Sequence, residues 1–237
     1  MTVTLPVSDG KNYELKPQKI ICLGLNYWKH IEESAMMEPE RFKEEKPREP
    51  ILFPKTLNTL VGPEEPIVIP AFLDEYGFRT CRTDYEGELA LIIGKRGKNI
   101  SEDDALDHVM GYTCFNDVSQ RNFQKHDKAG WFRGKSLDTF GPVGPRIVLS
   151  GDIGDPGNLA ICSRLNGKTV QESNTSHMIF TIPQMIAFIS KNFTLETGDV
   201  IVTGTPDGVG PLTPGDVIEV EIENIGILKN SVRAEHG

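Results

Sequence analysis

Tyr85-Glu86-Gly87-Glu88-Leu89-Ala90-Leu91-Ile92-Ile93 reads as a buried strand with two carboxylates at its mouth. Side chains alternate along a strand, so Glu86 and Glu88 leave the same face a few ångströms apart. Like charges at that spacing repel, and burial makes the repulsion worse. A positive charge is required between them. With no His or Cys adjoining the pair, a hard divalent cation is the economical candidate.

The segments on either side of this strand fix the fold class. The 237 residues contain 23 Gly and 16 Pro, and the short stretches between them are rich in β-branched residues, which predicts a sheet-dominated α+β fold with few helices. Strands are expected at Ile20 to Leu25, Ile51 to Phe53, Glu88 to Gly94, Gly111 to Asn116, Ile147 to Leu149, Leu159 to Leu165, Val200 to Thr203, Val217 to Ile222 and Ile227 to Val232. Asn166-Gly167 between Cys162–Leu165 and Lys168–Gln171 is the signature of a type I′ hairpin turn. Helices are expected from Trp28 to Met37, from a Ser101 cap to about Val109, and from near Thr181, with Pro183 in its first turn, to about Lys191. Residues 1–16 read as a short N-terminal extension and 17–237 as one catalytic domain, without internal repeats.

Composition narrows the function classes. A formal charge of -9 and a pI near 5.1, with Lys and Arg scattered, exclude a general nucleic-acid or membrane-surface binder. No stretch is apolar enough to span a bilayer and Met1 to Gly10 lacks a signal-peptide pattern, so a cytoplasmic enzyme is expected. Cys22, Cys81, Cys114 and Cys162 form no C-x-x-C pair and are expected to be reduced, with Cys81 the exposed one.

A third carboxylate would neutralise and fix a divalent ion, and Asp117, just past the strand ending at Asn116, is the candidate. If Asp117 opens a helix, Arg121 and Gln124 share its face; the alternative is a plain N-cap paired with Arg121. Lys135 lies among aromatics beside Gly134, which suits an anionic small molecule, against the ordinary reading of a surface lysine. Tyr27, His30 and Glu33 recur at helical spacing. The last two either form a proton-taking dyad or a surface pair worth a few tenths of a kcal/mol. In Thr203-Gly204-Thr205-Pro206-Asp207-Gly208-Val209-Gly210-Pro211, backbone N–H groups either cradle a carboxylate or phosphate or serve a tight connection. The charged run Glu40 to Lys46 reads as a solvated face.

Taken together, these pieces resemble the fumarylacetoacetate hydrolase superfamily. The resemblance is carried by Gly24-Leu25-Asn26-Tyr27 with His30 and Glu33, Phe53-Pro54-Lys55, Asp84-Tyr85-Glu86-Gly87-Glu88-Leu89, Gly111-Tyr112-Thr113 with Asn116-Asp117-Val118-Ser119 and Arg121, Gly134-Lys135-Ser136 with Asp138-Thr139-Phe140-Gly141-Pro142, Asn166-Gly167, Gly198-Asp199-Val200-Ile201, and Thr203-Gly204-Thr205-Pro206. It implies a mixed β-roll core capped by short helices, a homodimer, and one Mg²⁺ or Mn²⁺ on Glu86, Glu88 and Asp117. It also implies a water-activating His30–Glu33 dyad on a mobile lid and a 2-oxo or enol acid substrate held by Arg121, Gln124, Lys135 and Thr205; Lys135 is expected to be catalytic as well, assisting charge development, and Tyr27 to contact the substrate. Three features depart from the family pattern: Gln120 in place of a small residue, a longer and more charged Ser34 to Arg48, and an added loop from Leu73 to Arg82.

The expected reaction is hydrolysis of a carbon-carbon bond in an acylpyruvate-like 2,4-dioxo acid through a metal-stabilised pyruvate enolate. Isomerisation of a 2-hydroxyhepta-2,4-diene-1,7-dioate type or decarboxylation of an oxaloacetate type shares that chemistry. A non-catalytic β-domain stabilised by Ca²⁺ would account for the acidic trio but leave His30, Glu33, Arg121 and Lys135 unexplained.

Overall fold

The computed structural model describes residues 2–40, 43–128 and 130–235. In chain order its strands are β1 (Val3–Pro6), β2 (Asn12–Leu15), β3 (Ile20–Gly24), β4 (Ile51–Lys55), β5 (Leu60–Val61), β6 (Ile67–Ile69), β7 (Thr83–Tyr85), β8 (Gly87–Ile93) and β9 (Val109–Asn116). They continue as β10 (Ser119–Gln120), β11 (Gly141–Leu149), β12 (Ala160–Leu165), β13 (Lys168–Asn174), β14 (Val200–Val202), β15 (Gly210–Pro211), β16 (Val217–Ile222) and β17 (Gly226–Ala234). The α-helices are α1 (Trp28–Met37), α2 (Arg121–His126), α3 (Phe132–Lys135) and α4 (Ile182–Asn192).

Strand β8 sits at the centre of a mixed seven-stranded sheet ordered β4-β3-β14-β8-β9-β11-β5. Its alternation serves two cores. Leu89, Leu91 and Ile93 face Ile161, Val220 and Leu228 of a second sheet, ordered β13-β12-β16-β17-β6, together with Met185 and Ile186 of α4. Ala90 and Ile92 point the other way, among Ile20, Cys22, Phe115 and Val202, and are covered by Val3, Leu5 and Leu15 of the β1–β2 hairpin. Every residue of β8 is buried, which explains its lack of polar alternation. Two packed sheets with short helices at their margins make the expected β-dominated roll.

Local signals account for most elements. Helix α4 starts at a capping box: Thr181 Oγ1 accepts from the Gln184 backbone N–H at 3.4 Å, and Gln184 Oε1 accepts from the Thr181 N–H at 3.0 Å. Asn166 and Gly167 have φ of 52° and 79°, the two left-handed positions a type I′ turn requires, and Leu165 pairs directly with Lys168. The four cysteines are free and Cys81 is exposed, as expected.

Two helix expectations are corrected. Ser101 does bond Asp104, but the segment that follows is only a 3-10 turn, Ala105–His108, because the strand β9 begins at once at Val109. Asp117 does not open a helix. The chain first runs through β10, which pairs with β7, and α2 starts at Arg121 with Gln120 as its N-cap. Part of the charged run Glu40 to Lys46, namely 41–42, lies outside the described residues.

Gly87 joins the carboxylate row to the opposite core. A Cβ there would stand 2.3 Å from Ser163 Oγ and 3.1 Å from Gln171 Oε1. Gly87→Ala is expected to lower the unfolding free energy in urea by about 1–3 kcal/mol, as overpacking does, and Ser163→Gly is expected to restore part of it in the double variant.

Candidate active site

The backbone sets the spacing of the acidic trio before any side chain acts. Glu86 lies between β7 and β8, and its N–H donates to Asn116 Oδ1 at 2.9 Å, while the Asp117 N–H donates to the Glu86 carbonyl at 2.8 Å. Gly87 pairs with Asn116 and Glu88 with Phe115 across the β8–β9 ladder. Glu86, Glu88 and Asp117 are all buried and each offers an oxygen within 4.8 Å of the others.

Cations converge on this acid cluster from three separate elements. Lys135 Nζ, at the end of α3, bridges Glu86 Oε2 and Asp117 Oδ2 at 2.6 Å each, and also stands 4.8 Å over the Phe53 ring. Lys55 Nζ, from β4, reaches Asp117 Oδ1 at 2.6 Å and donates to the Val118 carbonyl at 3.3 Å. Arg121 pairs with Glu86 at 2.7 Å and with Asp84 at 2.8 Å, and donates to Gln124 Oε1 at 3.0 Å. Burial alone would raise the Glu86 carboxyl, but the Lys135 ammonium and Arg121 guanidinium outweigh it and hold Glu86 well below the usual carboxylate range. Burial tends to discharge Lys135, yet Asp117 and Glu86 keep its affinity for a proton above normal.

Glu88 is the exception. It has no ion-pair partner among the described residues, and its Oε2 accepts only the backbone N–H of Gly204. Burial, then Asp117 and Glu86, push its carboxyl well above the ordinary range. A buried carboxylate short of positive charge, beside two more with all-oxygen donors, fits a hard divalent ion: Glu86, Glu88 and Asp117 could hold one.

The glycine-rich loop after β14 does cradle carboxylates, but they are the protein's own. Gly204 adopts φ 96° beside Asn26 and serves Glu88; the Asn26 amide fixes that backbone by donating to the Thr203 carbonyl at 2.8 Å. The Gly208 N–H serves both oxygens of Glu33 at 3.2 Å. Glu33 Oε2 lies 3.3 Å from His30 Nδ1, so the imidazole of α1 is oriented by an acid that is itself pinned from behind. Thr205 donates to the Gly87 carbonyl at 3.0 Å and accepts from Gln171 Nε2 at 2.9 Å.

These groups open on one cavity of about 160 Å³, lined by His30, Glu86, Glu88, Arg121, Gln124, Lys135 and Thr205, with Leu23, Phe53 and Trp131 as apolar walls. A Cβ on Gly24 would come within 2.5 Å of the Trp131 ring, so glycine there leaves the wall its place. Asp117 and Tyr27 do not line the cavity. Tyr27 is buried at the N-cap of α1, and its hydroxyl has no partner among the described residues.

Sequence reasoning gave no role to Lys55, Asp84 or Arg82. The signal for the last two was available: alternation extends the face of Glu86 and Glu88 back through Asp84 to Arg82. Gln120 does not line the cavity; its side chain caps α2 by accepting from the Phe123 N–H at 3.1 Å and donates to Cys81 Sγ at 3.3 Å.

Comparison with known proteins places this site in context. Residues 19–233 match the model of the fumarylacetoacetate (FAA) hydrolase C-terminal family. The mitochondrial oxaloacetate tautomerase fahd2 of Xenopus laevis is 46% identical over 224 residues, covering 91% of this chain and 66% of that protein. Fumarylpyruvate hydrolase from Pseudomonas aeruginosa, solved in complex with Mn²⁺ and pyruvate, superposes with a TM-score of 0.86 at 27% identity, covering 99% of this chain and 97% of that one. The 2-hydroxyhepta-2,4-diene-1,7-dioate isomerase from Mycobacterium marinum gives 0.80 at 36% identity, covering 96% and 82%. With the family match spanning nearly its whole length and its sheets following the same path, the chain belongs to the fumarylacetoacetate hydrolase family.

Proposed function

We propose that this chain is a divalent-metal-dependent hydrolase that cleaves a carbon-carbon bond in an acylpyruvate-like 2,4-dioxo acid, using Mg²⁺ or Mn²⁺ and acting as a homodimer. One observation carries the reading: Glu86 and Glu88 of the buried acidic trio open on the same cavity as His30, whose ring Glu33 holds from behind. A cation on Glu86, Glu88 and Asp117 supplies Lewis acidity toward the 2-oxo group of a bound acid.

The protein's own groups do the rest. Glu33 accepts from His30 Nδ1–H, which leaves Nε2 with the lone pair that takes a proton from water. The hydroxide so formed adds to the 4-carbonyl. The C3–C4 bond then breaks with its electron pair drawn toward the 2-oxo group, the acyl fragment leaves as a carboxylic acid, and the proton on His30 returns to C3. Lys135 holds Glu86 and Asp117 in place and lends positive charge to the cavity wall as negative charge develops.

A second reading is favoured by the likeness to the Xenopus laevis oxaloacetate tautomerase. Here the same histidine exchanges a proton at C3 of a 2-oxo acid and no bond between carbons breaks. Acetylpyruvate, fumarylpyruvate and oxaloacetate, each assayed with and without Mg²⁺ or Mn²⁺, separate the two. Hydrolysis of the first two supports cleavage; turnover of oxaloacetate to its enol alone supports the tautomerase.

Loss of activity on chelation and its return on adding Mn²⁺ is expected, and full activity after chelation would end the metal reading. Glu88→Gln is expected to abolish metal binding in calorimetry. Because the amide removes a buried carboxyl that no side-chain cation faces among the described residues, while still accepting from Gly204, the metal-free protein is expected to melt roughly 2–8 °C higher, equivalent to about 1–2 kcal/mol. His30→Ala is expected to slow turnover by about 10²–10⁴-fold with metal affinity retained; an unchanged rate would reduce His30–Glu33 to a structural pair.

A further inference from the structure

Arg82 lines the cavity with neither of its Nη groups on a carboxylate of the described residues. Arg121 is held by Asp84 and Gln124 through hydrogen bonds and by Glu86 through an ion pair at 2.7 Å. Arg82 uses its Nε on Asp84, at 2.8 Å and 3.1 Å from the two carboxylate oxygens. Its Nη2 meets only the Met37 thioether at 4.0 Å, and its Nη1 has no partner among the described residues. The side chain is 34% exposed and lines the cavity.

Its position is fixed as firmly as its direction. The Arg82 N–H donates to Asn122 Oδ1 at 2.9 Å, its carbonyl accepts from the Arg121 N–H at 2.8 Å, and the buried Asp84 holds the guanidinium by its inner edge. Strand alternation puts Arg82, Asp84, Glu86 and Glu88 on one face, with Arg82 about 13 Å along the backbone from Glu86 at about 3.3 Å per residue. The cavity thus carries Glu86 and Glu88 of an acidic trio short of positive charge and, further back along the same strand face, a preorganised fork short of an acceptor. Glu38, which also lines the cavity, is paired with Lys125 at 3.9 Å.

We propose that Arg82 is the specificity-determining residue of this site: its free donors receive a second carboxylate at the far end of the substrate, so the cavity selects dicarboxylic 2-oxo acids over monocarboxylic ones of equal length. The assignment rests on the 2-oxo acid reading above and sharpens it. A planar fork with a pinned Nε donates two parallel N–H groups to one carboxylate, geometry an ammonium cannot supply. It also gives the added segment from Leu73 to Arg82 a purpose, since that segment delivers the arginine to the start of β7.

The test titrates Mg²⁺-loaded protein in a calorimeter with 2-oxoglutarate and 2-oxovalerate, which differ in carrying a carboxylate or a methyl at the far end. Wild type is expected to bind the diacid more tightly, and Arg82→Gln to reduce the ratio of the two dissociation constants by about ten- to hundredfold. Arg82→Lys is expected to fall between them. An unchanged ratio in Arg82→Gln, or equal weakening toward both acids, overturns the role of Arg82 and leaves the 2-oxo acid reading standing. Failure of the metal-loaded wild type to bind either acid overturns that reading and the assignment with it.

Discussion

Three carboxylate oxygens buried within 4.8 Å of one another are the constraint on which the rest of this molecule depends. Two unit charges about 4 Å apart repel by about 4 kcal/mol even at an effective dielectric of 20. The fold answers by bringing Lys135 from α3, Lys55 from β4, Arg121 from α2 and the Gly204 N–H from the loop after β14 to the same few ångströms. Segments far apart in the chain are held together at this point because each supplies donors that the acids cannot do without. Removing one would leave its acid buried with less positive charge than the site was built to supply.

The compensation is uneven, and the unevenness gives the site a direction. Asp84 is gripped by two arginines, Asp117 by two lysines and Glu86 by a lysine and an arginine. Glu88 receives a single backbone N–H. Positive charge is therefore missing at the Glu88 end and in surplus at Arg82, so an acid with a chelating head and an anionic tail matches the cavity along its length. The His30–Glu33 pair stands to one side on α1, fastened by Gly208 of the same loop that serves Glu88. One loop thus sets the relative position of proton acceptor and acidic trio.

Residues whose role depends on neighbours along the chain were legible. The Trp28 to Met37 helix, the Asn166-Gly167 turn and the capped helix after Thr181 follow from spacing, left-handed turn residues and capping, and the structure has them. So does the shared face of Glu86 and Glu88, because alternation is a local property of strands. Asp117 and Arg121 show where such reading fails. Their spacing of four suggested one helical face, but pairing of Ser119–Gln120 with β7 claims the chain between them and sends Arg121 to Asp84 and Glu86 instead.

By itself the sequence determined a β-rich fold of one family, two acids on one strand face and a His-Glu pair at helical spacing, since all of these rest on periodicity and order along the chain. Which cation answers which acid was settled only in three dimensions. Lys55 and Lys135 lie 80 residues apart yet share Asp117, and Glu88 is left without either. Coulombic energy in a buried site depends on distances of a few ångströms between side chains that no local pattern relates. For the same reason Arg121, the substrate-binding arginine expected from sequence, is tied to Asp84, Glu86 and Gln124, while Arg82 keeps both Nη groups clear of the carboxylates of the described residues.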